Sequence, residues 1–255
     1  MNKLWYLLSL ILCLSVTVAC KKNSAHPSNS CRIAVNYDSL FLPSGNEAAT
    51  TRIFYDNDGR VAYTQINTSN DSITRVFIYN DSSVVITPTN VQSPYDTILM
   101  NGKGMPVKIK QTYVSNDYYD LSIYSYDATG QLLSAALSQA GNSGANLRTA
   151  TYTYKFVNGD CVSTTYTDAN GTSTTNYTYY TDKPAQDGDY QRFQDISSYG
   201  TAIIRNKHLL RSAQSGTYIS DYSYTFDNTG KITTATYRYN NQVFKNTYEY
   251  DCSQQ

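Results

Sequence analysis

The sequence is poor in the residues that build long helices and in those that most enzymes use for catalysis. Glutamate occurs only at Glu47 and Glu249 among 255 residues, whereas long helices are usually rich in such helix formers. Histidine occurs only at His26 and His208. The chain contains no CxxC, H-E-x-x-H, G-x-G-x-x-G, G-x-S-x-G or P-loop pattern, so it offers no motif for zinc, a dinucleotide or a nucleophilic serine. We therefore expect no metal or cofactor, and we interpret His208 as a structural or surface residue.

Charge is scarce and balanced. The chain has 20 basic and 20 acidic residues, and charged residues make up 16% of it, against roughly 25% in typical soluble domains. Nucleic-acid-binding proteins usually show a clustered basic excess, so no nucleic-acid partner is predicted. The most abundant unusual residue is tyrosine, with 26 copies. Tyrosine and threonine favour the half-buried surface of a β-strand, which predicts an all-β protein.

The N-terminus has the pattern of a secretory signal. It reads MNKLWYLLSLILCLSVTVACKK, with one early lysine, a short apolar run and small residues before a cysteine. TVAC looks like a bacterial lipobox, which predicts a signal peptide over residues 1–19 and lipidation of Cys20. The polar residues 20–30 then read as a flexible tether, and the protein is placed at the outer membrane, on its periplasmic or cell-surface side. The alternative is an ordinary secretory signal with an incidental cysteine.

Three cysteines lie beyond the signal and the lipobox, at Cys31, Cys161 and Cys252. An exported protein meets an oxidising compartment, where disulfides are permitted. A bridge between Cys31 and Cys252 would join the first predicted strand to the last and would leave Cys161 unpaired. The alternative is three free thiols, since spacing alone does not determine connectivity.

Residues 31–255 read as a single domain of strands joined by short turns. An aromatic-Asp-x-x-Gly pattern recurs at residues 55–61, 126–132 and 226–232, with a shortened copy at 156–159. The aspartate accepts backbone hydrogen bonds in the turn and the glycine takes the positive-φ position. Short connections force neighbouring strands to be antiparallel. The Asp-Asn-Asp-Gly copy at 56–59 is interpreted as a turn rather than a calcium loop, because the loop length and the final glutamate of an EF-hand are missing.

The alternation within strands predicts one aromatic and one polar face. Ala150, Tyr152, Tyr154 and Phe156 share one side of TATYTYKF, and threonine and lysine share the other. A membrane barrel would instead show an outward aliphatic band between aromatic girdles, so we expect a soluble protein. Residues 181–216 break the rhythm and are interpreted as a surface loop or one helical turn, followed by a strand near residues 208–213.

These elements together resemble a known family. The lipobox with its two lysines, the YDNDGR, YDATGQ and FDNTGK turns, NKHLLRSA ahead of YSYTFDNTGKITTATY, and the final YEYDC are similar to the Bacteroidetes lipoprotein family of unknown function described as having a porin-like fold. The turns also resemble the YD repeat of Rhs-type proteins. The resemblance implies a strongly curved antiparallel meander of about 14–16 strands, as a barrel-like or open shell, and it carries over no catalytic residue.

The expected function is a membrane-anchored, non-enzymatic envelope protein, monomeric, that binds a glycan, another polymer or a protein. Two alternatives stay open. One is a glycan-acting hydrolase that uses aspartate carboxylates, and the other is a purely structural envelope protein. Tyrosine is amphipathic and common at interfaces, but most of the tyrosines are expected on the packed face of the sheet.

Overall fold

The computed structural model describes residues 31–42, 45–89, 95–113, 118–141, 146–240 and 242–252. It contains sixteen strands and one helix within these ranges. The strands are β1 (Arg32–Leu42), β2 (Gly45–Tyr55), β3 (Val61–Thr68), β4 (Ser72–Tyr79), β5 (Ser83–Pro88), β6 (Tyr95–Met100), β7 (Pro106–Thr112), β8 (Tyr118–Tyr126), β9 (Leu132–Gly141), β10 (Asn146–Val157), β11 (Asp160–Asp168), β12 (Gly171–Pro184), β13 (His208–Ser215), β14 (Tyr218–Phe226), β15 (Ile232–Tyr239) and β16 (Gln242–Asp251). The helix α1 spans Tyr190–Tyr199.

The strands form one closed barrel in chain order. Each strand pairs antiparallel with the next, and β1 closes the barrel against β16 over a register from Arg32↔Asp251 to Phe41↔Val243. The predicted all-β meander of 14–16 strands is therefore confirmed, and the choice between barrel and open shell is resolved in favour of the barrel. No helix in the described part of the chain has the length and apolarity needed to cross a membrane.

The predicted turn chemistry is present at one end of the barrel. Asp56, Asp127 and Asp227 each accept hydrogen bonds from the backbone N–H groups two and four residues later, at 2.8–3.0 Å. The corresponding glycines have φ between +75° and +92°. Asn101 makes the same two bonds in the β6–β7 turn. The shortened copy differs, because Asn158 and Gly159 both have positive φ, as in a two-residue hairpin turn.

Buried apolar side chains from strands on all sides of the barrel meet in one cluster, so that cluster fills part of the interior. The residue that begins each strand after an aspartate turn belongs to it: Val61, Leu132 and Ile232 are at most 2% exposed. Aromatic residues that end the preceding strands, Tyr55 and Phe226 among them, pack against the same cluster. The repeated sequence element therefore places one residue of the interior cluster before each turn and one after it.

Residues 185–207, here called the plug, connect β12 to β13 through the interior. The two ends of the plug are hydrogen-bonded to each other, since the Ala185 N–H donates to the Lys207 carbonyl at 2.9 Å. Its helix α1 starts beside β14 and β15, where the Tyr190 ring lies 5.7 Å from that of Tyr222. The helix ends beside β4, since a Cβ on Gly200 would meet the Tyr79 hydroxyl at 2.8 Å.

The plug corrects the expectation of a surface loop at residues 181–216, although the strand predicted near 208–213 is present as β13. Its apolar residues Phe193 and Ile203 belong to the interior cluster. Its buried polar groups are satisfied locally: Asp189 caps α1 by accepting from the Arg192 N–H at 3.1 Å, and Asp195 accepts from the Ile203 N–H at 2.8 Å. Because its apolar residues pack in the interior cluster and its buried carboxylates are hydrogen-bonded, the plug is stable inside the barrel.

Candidate functional site inside the barrel

The barrel interior beyond the plug is accessible to solvent. Inward-facing residues near the plug, such as Ile98 and Leu209, are fully buried. Other residues that also face inward, namely Leu137, Ala150 and Tyr152, are only half-buried. A closed barrel of sixteen strands is wide enough to leave a lumen that its side chains do not fill. The candidate site is this remaining lumen.

Aromatic rings in two separate groups line the lumen, and these rings are here together called the aromatic wall. One group is the pair Tyr152 and Tyr166, and the other consists of Tyr190, Tyr222, Tyr237 and Phe244. Neighbouring rings lie 4.9–5.7 Å apart between centroids, for example 5.0 Å between Tyr222 and Tyr237. All six are half-buried, so the rings support one another and still present surface to the lumen.

The aromatic wall meets the plug beside β1 and β16. Burial raises the pKa of Tyr190 to about 12, and the nearby Asp38 carboxylate contributes to the shift. Burial also raises the pKa of Asp38 above its usual value. Asp38 pairs in register with Asn246, whose side chain is 3.4 Å from that of the equally buried Asn36. This corner of the lumen therefore combines aromatic surface with amide and carboxyl groups.

The lumen also carries a row of polar side chains, here called the polar belt. Asp96, Gln111, Asp120, Gln139 and Arg148 are successive register partners on β6 to β10. Asp96 and Gln111 lie two residues from the buried Ile98 and Ile109, which pair on β6 and β7. Because alternate residues of a strand point to the same face, these side chains and their register partners face inward. The belt runs from a buried end at Asp96 to an exposed end at Arg148.

Hydrogen bonds link the middle of the polar belt. Asp120 accepts from the Gln139 amide at 3.0 Å and from the Tyr113 hydroxyl at 3.1 Å. Asp96 is only 3% exposed, and its Oδ1 has no hydrogen-bond partner among the described residues. Burial raises the pKa of Asp96 to about 6, against the lowering effects of Arg75 and of a hydrogen bond from Gln111.

The exposed end of the polar belt opens into a cleft of about 460 Å³, here called the Arg148 cleft. It is lined in part by Gln139, Leu147, Arg148, Asp168 and Asn170. Arg148 Nη2 donates to the Tyr166 hydroxyl at 2.9 Å and lies 3.4 Å from Asp168 Oδ2. Because Tyr166 also belongs to the aromatic wall, the wall and the belt meet at this cleft.

His208 lies at the exit of the plug, away from both surfaces. Its Nδ1 is 2.7 Å from Asp160 Oδ2, while Asp160 Oδ1 accepts from the backbone N–H groups of Lys207 and His208 at 2.9 Å. The Lys207 N–H also donates to the Gly159 carbonyl. These contacts hold the start of β13 against the β10–β11 turn, which is the structural role expected for this histidine.

The predicted cysteine residues have different outcomes. Cys31 and Cys252 form a disulfide, which confirms the predicted pairing. Cys161 is buried with a free thiol, and burial raises its pKa. Cys20 lies outside the described residues, so its lipidation stays a prediction.

The polar belt was missed by the sequence interpretation. Its five members come from five strands and share no motif, so their proximity follows only from the register of the closed sheet. The sequence did contain an indication of this site, because each member is a long or charged polar residue at a position of its strand that faces the interior. The aspartates of the turns were interpreted correctly. Asp56, for example, accepts a hydrogen bond from the Asp58 N–H of its turn, and its Oδ2 lies 2.7 Å from Arg60 Nη2.

Comparison with known proteins identifies the fold. No family model matches the chain, and no curated protein matches it in sequence. Two similar solved structures are a porin-like protein from Bacteroides uniformis ATCC 8492 and one from Bacteroides vulgatus ATCC 8482. The first has a TM-score of 0.66 at 14% identity, covering 86% of this chain and 98% of that one. The second has a TM-score of 0.60 at 15% identity, covering 87% and 99%. Identities this low show the shared fold alone.

Proposed function

We propose that this chain is a non-enzymatic protein of the bacterial cell envelope, anchored through Cys20, that binds a glycan inside its barrel. The observation that supports it most directly is the position of the aromatic wall. Tyr152, Tyr222 and Tyr237 face the lumen and keep part of their surface accessible. Aromatic faces with polar tips suit ligands that are apolar on one face and hydroxylated at the edge, which is the character of a sugar ring.

The plug favours binding over conduction. Residues 185–207 fill the interior at the end where the aspartate turns lie, with Phe193 5.1 Å from the Tyr248 ring of β16. A ligand that follows the aromatic wall towards α1 therefore meets packed side chains. A pocket with one accessible end and a few convergent polar groups is the usual form of a ligand site.

The exterior of the barrel supports attachment by a lipid rather than insertion of the barrel. Arg52, Lys155, Asp221 and Lys245 are exposed in the interior of their strands and alternate with lumen-facing residues. A lysine or arginine facing lipid at mid-membrane costs about 2–4 kcal/mol. The proposed anchor is tested by labelling with palmitate in cells, which should be lost in Cys20→Ala; labelling that persists in this variant would exclude Cys20 as the site.

A glycan array tests the binding function. Purified protein covering residues 31–255 should bind members of the array, and Tyr237→Ala should weaken binding at least tenfold because it opens the centre of the aromatic wall. Tyr63→Ala is the matched control, since Tyr63 is 38% exposed on β3 and stacks on Phe54 outside the lumen. An array with no bound glycan would favour the purely structural alternative.

Hydrolysis of a glycan is a second candidate, favoured by one observation on the polar belt. Asp96, whose pKa burial raises to about 6, lies two strands from Asp120, roughly 10 Å between backbones. Inverting glycosidases use two carboxyl groups on opposite sides of the scissile bond, and Asp96 and Asp120 are the two carboxyl residues of the polar belt. Release of reducing sugar that is abolished by both Asp96→Asn and Asp120→Asn would support this function and exclude a purely binding role.

A further inference from the structure

We propose that the Arg148 cleft is a subsite for one uncharged sugar ring, in which the Arg148 guanidinium binds two neighbouring hydroxyl oxygens. The proposal rests on the proposed glycan-binding function and names the part of the site that recognises hydroxyl groups. Its volume of about 460 Å³ lies within the range of small-molecule pockets.

Among the residues that the structure describes, Arg148 is held in place by Nη2 alone. Nη2 makes both contacts, with the Tyr166 hydroxyl at 2.9 Å and with Asp168 Oδ2 at 3.4 Å. A guanidinium has five N–H donors in a rigid planar fork. The Arg148 side chain is 66% exposed, so donors on Nη1 and Nε can reach two adjacent oxygens of a ligand without breaking the contacts of Nη2.

The residue that orients Arg148 is itself fixed. The Asp168 side chain is only 9% exposed, and its Oδ1 accepts from the Asn170 N–H at 2.8 Å. Its Oδ2 accepts from the Tyr166 hydroxyl at 3.0 Å. These hydrogen bonds, that from the Asn170 backbone first, lower the pKa of Asp168. Tyr166, Asp168 and Arg148 thus form a preorganised group, which reduces the entropy lost when a ligand binds.

The charges in and beside the cleft select an uncharged ligand. Arg148 is paired with Asp168. Asp120 accepts a hydrogen bond at 3.0 Å from the side-chain amide of Gln139, which lines the cleft. One cation and two carboxylates offer no net attraction to a carboxylated sugar, whereas hydroxyl groups can both donate to carboxylates and accept from the guanidinium. A neutral vicinal diol is therefore the best match.

The cleft also has an apolar side. Leu147 is 60% exposed and lines the cleft beside the polar groups. The ring of Tyr152 lies 4.9 Å from that of Tyr166 and adds aromatic surface beside the cleft. A sugar ring held by Arg148 at its hydroxyl edge can place its C–H face against this apolar surface.

The experiment compares a panel of neutral hexose oligosaccharides with a panel of hexuronic-acid oligosaccharides, using calorimetry on the full domain. Wild-type protein should bind neutral members at least tenfold more tightly than acidic ones. Arg148→Ala should weaken binding of the neutral members about tenfold or more. Arg148→Lys should be similarly weak, because lysine keeps the charge and loses the planar fork. Arg238→Ala, an exposed arginine on β15, is the matched control and should bind as the wild type does.

Each result has a distinct meaning. Loss of binding in Tyr237→Ala with full binding in Arg148→Ala would overturn the subsite and leave the proposed function standing. Full rescue by Arg148→Lys, or tighter binding of the acidic panel, would also overturn it. If the wild-type protein binds neither the neutral nor the acidic panel, both the subsite and the proposed glycan-binding function are rejected. Unfolding midpoints of all variants are measured alongside, and a variant that does not fold is replaced by Asn170→Ala, which removes a cleft amide and should weaken binding of the neutral panel severalfold.

Discussion

The hydroxyl of Tyr55 on β2 donates a hydrogen bond to the carbonyl oxygen of Ile33 on β1 at 2.9 Å, next to the point where the β1–β16 register shifts. Three further tyrosines donate a hydrogen bond to a backbone carbonyl of the neighbouring strand, each beside another register shift. These pairs are Tyr126 with Pro106 at 2.8 Å, Tyr179 with Cys161 at 2.7 Å, and Tyr250 with Ile232 at 2.8 Å. A bulge disrupts the ladder locally, and a phenol on the neighbouring strand supplies the missing donor.

Removing one such hydroxyl should therefore cost stability. Tyr126→Phe leaves the buried Pro106 carbonyl without this donor, and we expect a loss of about 1–2 kcal/mol in the free energy of unfolding. Urea denaturation measures it as a lower midpoint at an unchanged slope. Tyr63→Phe on the outer face is the control and should change stability by less than about 0.5 kcal/mol. Equal effects in the two variants would refute the role assigned to Tyr126.

The end of the plug helix should be unusually sensitive to a single methyl group. Gly200 has φ +72°, and an added Cβ would lie 2.8 Å from the Tyr79 hydroxyl and 3.2 Å from the Phe77 ring. Gly200→Ala should cost about 2–4 kcal/mol, since left-handed strain and overpacking add. Gly216 has φ +58° with nothing within 4 Å, so Gly216→Ala should cost only about 1 kcal/mol. Thermal and urea unfolding compare the two, and a similar loss in both would show that the plug is loosely packed.

The plug also predicts a pH dependence of stability. Burial raises the pKa of Asp195 to about 6, although the N–H groups of Ile203 and Ile204 oppose the shift. The folded state then binds this proton more tightly than the unfolded state, so the group's contribution is full below pH 4 and is lost as pH rises through 6. Asp195→Asn cannot ionise and keeps an oxygen acceptor.

We expect Asp195→Asn to match the wild type near pH 4 and to exceed its free energy of unfolding by about 1–3 kcal/mol at pH 7. Urea denaturation at both pH values measures the difference. Asp221→Asn, on the exposed outer face, controls for the loss of one negative charge. A difference between Asp195→Asn and the wild type that does not change with pH would contradict the prediction.

The disulfide should stabilise the fold because it closes almost the whole chain. Cys31 and Cys252 are 221 positions apart, and loop-closure entropy predicts a loss of about 5 kcal/mol when both are replaced by serine. Wild-type protein under reducing conditions should match this double variant. Cys161→Ala leaves the disulfide intact and should still lose the same stability on reduction. Insensitivity of the wild type to reduction would show that pairing of β1 with β16 needs no covalent support.

Local features were predictable because they depend on neighbouring residues. The turns at Asp56, Asp127 and Asp227 need only an acceptor, a positive-φ glycine and an alternating sequence on each side, and all three were recognised. The face of Tyr152 and Tyr154 followed from the period of two along a strand. The Cys31–Cys252 pair was predicted as one option among several, since spacing permits it without requiring it.

Non-local features depended on the tertiary structure. Closure of β1 against β16 pairs residues more than 200 positions apart, and no local pattern specifies which strands meet. The polar belt exists only because the register of five strands aligns Asp96 with Arg148 across the sheet. The plug was taken for a surface loop because its sequence breaks the alternation of the strands, whereas the hydrogen-bond partners of Asp189 and Asp195 inside the barrel depend on the tertiary structure.

The sequence by itself thus determined an antiparallel all-β chain and an aromatic face, because composition and short-range periodicity act within a few residues. Only the tertiary structure decided that this face turns inward, that residues 185–207 fill one end, and that Arg148 stands where the tyrosines meet the polar belt. Those outcomes follow from closure of the sheet, which turns one face of every strand towards a shared interior.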